Sequence, residues 1–298
     1  MKSWKVVLFA FLLLLTSAVV LGWLWLTQRT VGAYFDSAGV RLHYTDEGSG
    51  PPVILLHGFA VNADLNWRTP GITEKLRQDF RVISLDLRGH GLSGKPHDPN
   101  RYGLEMLRDV LRLMDHLQLE RAHVVGYSLG GVIALRLATL YPERLLSLSL
   151  LGAGWEAPEN SAFMKAVPKL VASLQAGKGI TPLSGQLGEG RAKPGWLHTW
   201  SVKLLTRYFN DQQALAAVIL GIGELTFPES ELANLTLPVC AIVGDRDPMR
   251  AGVEALAQRV PSVRFTLVED ADHIALARRQ ETVQVLRDFL RNATSAVK

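Results

Sequence analysis

The chain has 298 residues, 48% hydrophobic and 20% charged, a composition that excludes disordered and fibrous classes and fits one globular α/β domain with an insertion. Its formal net charge of +4 falls close to zero once Lys2, Lys5 and Arg29 in the N-terminal segment are set apart, so no nucleic acid partner is expected. A single cysteine, Cys240, excludes an intramolecular disulfide, and its place in the run Pro238-Val239-Cys240-Ala241-Ile242-Val243 reads as a buried thiol.

The first element is apolar. No charge stands between Lys5 and Arg29, and from Val6 to Leu26 only Thr16, Ser17 and Gly22 are not apolar. As a helix this run spans about 31 Å, the thickness of a bilayer core. Lys2 and Lys5 hold the short N-terminus in the cytoplasm and send the remainder across, and Trp23 and Trp25 stand where an interfacial aromatic belt lies. A cleaved signal peptide, cut near Val31-Gly32-Ala33, is the alternative, but the run exceeds the usual signal core. Residues 1–33 are thus expected to form an N-terminal transmembrane helix or signal segment. The following domain is then extracytoplasmic, membrane-anchored or, after cleavage, secreted.

Beyond the anchor, Val40, Leu42 and Tyr44 alternate with polar residues, the period of a half-buried strand. Fully apolar strands follow at Val53 to Leu56, ending at His57-Gly58, and at Val82 to Leu85, ending at Asp86. Leu104, Leu107, Leu111 and Met114 recur at helical spacing, predicting an amphipathic helix to about Leu119. A strand through His123-Val124-Val125 leads into Gly126, residues 129 to 140 read as a helix, and buried strands are expected at Leu146 to Leu151, Val239 to Val243 and Phe265 to Val268. Continuous apolar strands separated by helices predict a doubly wound, mostly parallel sheet with ligands at the carboxyl ends of its strands. About 80 residues from Trp155 contain helical patches and no core-like strand, too long for an ordinary loop. Residues 155–236 are therefore expected to form an inserted helical cap on a core of residues 34–154 and 237–298.

Chemistry concentrates at the strand ends. Gly126-Tyr127-Ser128-Leu129-Gly130 has the layout of a nucleophile elbow, in which small residues let a strand end and a helix start crowd around a raised serine. A serine hydroxyl is almost never ionised at neutral pH and needs a base, which in turn needs an orienting carboxylate. Gly244-Asp245-Arg246-Asp247 and Asp270-Ala271-Asp272-His273 supply both at later strand ends, in the order Ser, Asp, His expected on a doubly wound sheet.

Five segments in this order, His57-Gly58-Phe59, Asp86 to Ser93, Gly126 to Gly131, Gly244 to Asp247 and Asp272-His273, make residues 35 to 291 resemble the α/β-hydrolase superfamily. The resemblance implies Ser128 as nucleophile, His273 as general base and then acid, and Asp247 as its partner, with Asp245 as the alternative carboxylate. It also implies an oxyanion hole built from the backbone N–H groups of Phe59 and Leu129. The activity implied is cleavage of a carboxylic ester or related acyl bond in a small, apolar substrate through an acyl-enzyme. Lactonase or cofactor-free haloperoxidase-like chemistry stays open, as does a ligand-binding or acyltransferase protein on the same scaffold. Epoxide hydrolases and haloalkane dehalogenases share the His-Gly-Phe segment but carry aspartate at the elbow, where this chain has serine.

Other motifs are read as structural. His57 is expected to be a hydrogen-bonded strand-end residue, and His90 and His97 solvent-facing loop residues. Gly89 to Gly94 matches a dinucleotide fingerprint, but Pro96 and Pro99 prevent the helix that would hold a pyrophosphate, so no cofactor is expected. Without His-x-x-x-His or cysteine clusters, no metal is expected either. The cap aromatics Trp155, Phe163, Trp196, Trp200, Tyr208 and Phe209 are read as cap core, with the lining of an apolar substrate pocket as the alternative, whereas Phe59 and Trp67 flank the expected oxyanion site and are better placed to touch substrate.

Overall fold

The structure, a computed structural model, describes residues 30–157, 159, 161–180, 182–183 and 210–295. The chain divides into a unit of residues 1–31, nearly all outside the described residues, and a unit of residues 32–298 that holds every element below. The predicted span from Val6 to Leu26 lies outside the described residues. Among the described residues no helix is long and apolar enough to cross a membrane.

Eight strands form one sheet: β1 (Ala33–Ser37), β2 (Val40–Glu47), β3 (Pro52–Leu56), β4 (Arg81–Leu85), β5 (Ala122–Tyr127), β6 (Leu145–Leu151), β7 (Val239–Gly244) and β8 (Arg264–Val268). Their order is β1-β2-β4-β3-β5-β6-β7-β8. Pairings of β2 with β1 and β4 are antiparallel; all others are parallel. Apolar periodicity does not indicate β1, because only Phe35 and Ser37 face inward from this edge strand. Ala38 and Gly39, at φ 53° and 79°, join it to β2 in the left-handed turn a tight hairpin requires.

Continuous apolar strands serve two cores at once, because successive side chains point to opposite faces. Ile54, Leu56, Val124 and Ala241 pack on one face beneath helices α2 (Leu104–His116), α3 (Leu129–Leu140) and α6 (Arg250–Arg259). Val53, Leu55, Val125 and Ile242 pack on the other against α1 (Ile72–Leu76) and α7 (Gln280–Ser295). Cys240 lies in that second core, where burial pushes its thiol up to about 12. Between β6 and β7 the described residues form helices and no strand. They include α4 (Ala162–Gln175) and α5 (Gln212–Gly221), joined by Leu170, Val171, Leu174, Leu215 and Ile219. The insertion is helical as expected, although Trp196, Trp200, Tyr208 and Phe209 lie outside the described residues.

Two polar clusters inside these cores are tied down. Arg88 and Asp109, 0% and 1% exposed at their side chains, form a buried ion pair that also holds the Ser37 hydroxyl. Removing one partner of such a pair leaves an uncompensated charge, at a cost of about 3 to 5 kcal/mol. His123 on β5 spans from Ser147 Oγ at 2.7 Å to Thr294 Oγ1 at 3.0 Å. Since Thr294 donates its proton to the Leu290 carbonyl, it accepts from His123 Nε2–H, which leaves Nδ1 to accept from Ser147.

This chain favours a neutral ring, and burial, assisted by the charge of Arg121, pushes the His123 imidazole down to about 4. Between the ordinary histidine value near 6.5 and 4 the unfolded chain binds a proton that the fold does not, so stability falls as pH falls, by about 1.4 kcal/mol per unit at most. The urea midpoint is expected to decline from pH 6.5 to 4.5, more shallowly in His123→Gln. Parallel declines in the two proteins would exclude His123 as a source.

Candidate active site

Ser128 occupies the junction of β5 and α3 with φ 52° and ψ −115°, a backbone region that costs a non-glycine residue about 1 to 3 kcal/mol. The strain persists because the surrounding backbone permits no other path. A Cβ on Gly126 would lie 2.3 Å from the Gly130 carbonyl oxygen, and one on Gly130 would lie 2.1 Å from that of Leu56. Only glycine lets α3 start this close to the ends of β5 and β3. As the N-cap of α3, Ser128 makes no side-chain capping bond, so its hydroxyl is not spent on the helix.

The turn after β3 adjoins this elbow. His57 is fully buried; its Nδ1 donates to the Gly58 carbonyl at 2.7 Å and its Nε2 accepts from the Leu87 N–H at 3.0 Å. Burial lowers the pKa of this ring, which acts as a brace between two loops. Gly58 N–H is held by Asn66 Oδ1 at 2.9 Å. No described residue accepts from the N–H groups of Phe59 or Leu129, the two donors expected from the resemblance. The Phe59 side chain is half-buried between the main core and the cap cluster that contains Leu170 and Leu215. Trp67, by contrast, is fully buried in the second core, which corrects the expectation that it touches substrate: the helical turn Asp64–Arg68 points its indole at the sheet.

Asp86 organises the loops beside this turn. Its carboxylate accepts from Ala63 N–H and Leu92 N–H, each at 2.9 Å, and pairs with His43 Nδ1 at 3.0 Å. Burial alone would raise its pKa, but the hydrogen bonds and the nearby His43 and His57 rings outweigh that and bring it to about 2. Nothing in its spacing points to this role, and in the sequence it is only the first residue of a segment that carries the resemblance. Gly91, at φ 50°, folds the loop over the carboxylate so tightly that a Cβ there would meet Asp86 at 2.3 Å. The Leu92 amide of the apparent dinucleotide fingerprint is therefore already occupied by a protein carboxylate.

The same fold-back corrects the expectation for His90, which is fully buried rather than solvent-facing. Its ring stands edge-on to His57 at 5.2 Å and to Phe59 at 5.8 Å, and burial pushes it down to about 3. His97 is half-exposed and reaches Asp211, the N-cap of α5, at 2.8 Å.

Two later loops complete the site. His273 and Asp247 are each 3% exposed, and His273 Nδ1 lies 3.0 and 2.9 Å from the two Asp247 carboxylate oxygens. Asp245 instead accepts from the Ala271 N–H at 3.0 Å, so the structure brings Asp247 and not Asp245 to the imidazole. Gly152, at the end of β6 with φ 57°, leaves room for the pair, since a Cβ there would lie 2.9 Å from Asp247 Oδ2 and 3.0 Å from His273 Cε1. A histidine whose Nδ1 faces a buried carboxylate presents Nε2 as its proton acceptor. Among the described residues no group of three His, Cys, Asp or Glu side chains is placed to hold a metal ion.

Comparison with known proteins follows the same lines. Residues 51–279 match the model of a family described as alpha/beta hydrolase fold. The structure superposes on the enol-lactonase of Burkholderia xenovorans LB400 with a TM-score of 0.71 at 25% identity, covering 87% of this chain and 100% of that one. A thermophilic esterase from Thermogutta terrifontis gives 0.69 at 26% identity over 90% of this chain and 99% of the other. Among curated sequences, bifunctional epoxide hydrolase 2 of Sus scrofa is 35% identical over 133 residues, 44% of this chain and 22% of that protein. The chain thus spans less than a quarter of that relative's length.

Proposed function

The chain belongs to the alpha/beta hydrolase fold family, and from that premise we propose that it is a serine hydrolase that cleaves a carboxylic ester or related acyl bond, lactones included. One observation carries the reading: a strained, uncapped Ser128 stands on the elbow while His273, paired through Nδ1 with a buried Asp247, is presented from the neighbouring loops.

In this reading His273 Nε2 takes the Ser128 proton as Oγ attacks the substrate carbonyl, and Asp247 stabilises the imidazolium without being protonated itself. Negative charge gathers on the carbonyl oxygen, where the N–H groups of Phe59 and Leu129 receive it; losing one such donor costs about 3 to 4 kcal/mol. The imidazolium then gives its proton to the leaving alkoxide. Water, activated by the same ring, releases the acyl group and frees Ser128.

Serine at the elbow supports acyl chemistry over the reaction named for the epoxide hydrolase relative, and the enol-lactonase and esterase resemblances agree with it. An apolar acyl group suits the region around Phe59, which packs against the cap cluster that contains Leu170 and Leu215. The cleanest test is the rate at which a fluorophosphonate labels the protein. Wild type is expected to react, Ser128→Ala not at all, and Asp247→Asn more slowly by about two orders of magnitude while Asp245→Asn stays near wild type. A folded wild type inert to the probe, or equal losses in the two Asn variants, refutes the assignment.

The apolar run from Val6 to Leu26 supports a second part of the proposal, that this hydrolase is held at a membrane with its catalytic domain on the extracytoplasmic side. Full-length protein is then expected in the membrane fraction after alkaline carbonate washing, with residues 1–33 intact by N-terminal sequencing. Recovery in the soluble fraction, still bearing those residues, contradicts it.

A further inference from the structure

Hydrolysis by this site requires His273 within reach of Ser128, yet the two issue from strands far apart in the sheet. Between β5, which leads to Ser128, and β8, which leads to His273, lie β6 and β7. With neighbouring strands about 4.8 Å apart, the separation is about 14 Å. The loop after β8 therefore has to fold back across two strand ends, and strand pairing alone does not fix where its histidine lands. Asp247 orients the ring but stands on another loop, after β7.

Tyr127, the residue immediately before Ser128, bridges the gap. Its hydroxyl donates to the backbone carbonyl of His273. Its ring lies 5.3 Å from the His273 ring, tilted by 49°. Behind it stands the fully buried Trp67 indole, edge-on at 6.2 Å and 89°. The same ring abuts the turn after β3, since a Cβ on Gly58 would lie 3.2 Å from Tyr127 Cδ1 and 3.4 Å from Ser128 Cβ. One side chain thus touches the turn that carries Phe59 and the loop that carries His273, while its backbone adjoins the serine. Burial, reinforced by the charges of Asp247 and Asp272, raises the phenol pKa, so the hydroxyl remains a donor throughout the working pH range.

We propose that Tyr127 is a positioning residue that ties the His273 loop to the Ser128 elbow and so sets the distance over which the proton passes, a role that rests on the serine hydrolase reading above. The strand-to-elbow geometry carries Ser128; the tyrosine hydroxyl carries the base to it. A misplacement of about 1 Å in such a constellation costs up to about a hundredfold in rate.

The test is Tyr127→Phe in the full chain, which keeps the ring between Trp67 and His273 and removes only the donor. Rates are expressed per fluorophosphonate-reactive site, so partial loss of folded protein does not enter. The expected result is a fall in kcat of about tenfold or more with KM within about twofold. Trp67→Phe, which thins the packing behind the ring and keeps the hydroxyl, is expected to lower thermal stability with kcat per site and KM unchanged. If the wild type is active and Tyr127→Phe keeps its kcat or loses it only together with KM, or if Trp67→Phe reproduces the same losses, the positioning role is overturned while the serine hydrolase reading stands. A wild type that neither reacts with the probe nor turns over an ester removes both.

Discussion

Backbone crowding at the end of β5 is the constraint from which the site follows. A chain leaving a central strand and entering a helix that packs back on the same sheet has to reverse in one residue, and Ser128 does so at positive φ. Glycines at 126 and 130 allow the reversal because a methyl group at either position would collide with backbone oxygen. The strain is small beside the burial of the elements around it. α3 alone places Leu129, Ile133, Ala134, Leu135, Leu137 and Ala138 in the core, and each fully buried large aliphatic side chain contributes about 1.5 to 3 kcal/mol. Packing thus holds a hydroxyl in an orientation that local propensity disfavours.

The same crowding draws the neighbouring loops into register. Gly130 presses on the carbonyls of Leu56 and His57, which fixes the turn bearing Phe59 at the height of the serine. His57 and Asp86 then act as polar rivets. The imidazole joins Gly58 to Leu87, and the carboxylate joins Ala63, Leu92 and His43, so backbone groups that a buried loop would otherwise leave unpaired find protein partners. On the other side of the elbow, Gly152 clears space for His273 and Asp247. Low exposure of this kind keeps water from screening charge on His273 and Asp247.

Much of this was legible in the chain because the relevant signals are local. Uninterrupted apolar strands announced a sheet covered on both faces, and the helix from Leu129 to Leu140 has the ends its sequence suggested. Strand-end placement singles out Ser128, His273 and the Asp245/Asp247 pair in the sequence, and the family resemblance selects Asp247 from the pair. What stayed hidden depends on contacts made across the fold. His90 looks like a loop residue because glycines flank it; only the closure of that loop around Asp86 turns its ring inward. Trp67 lies close in sequence to Phe59, yet a single helical turn rotates it into the core. The resemblance selects Asp247 over Asp245, but the physical basis of that choice, one carboxylate held by a backbone N–H and the other by the imidazole, is a property of two loops meeting. Edge strand β1 shows too little apolar alternation to be seen.

The most direct test of the account is a crystal structure of the protein after reaction with a fluorophosphonate, a tetrahedral mimic of the intermediate. The phosphorus is expected on Ser128 Oγ, with one phosphoryl oxygen about 2.7 to 3.1 Å from the N–H groups of both Phe59 and Leu129. Phosphorus on another residue, or a phosphoryl oxygen turned away from both donors, would contradict it.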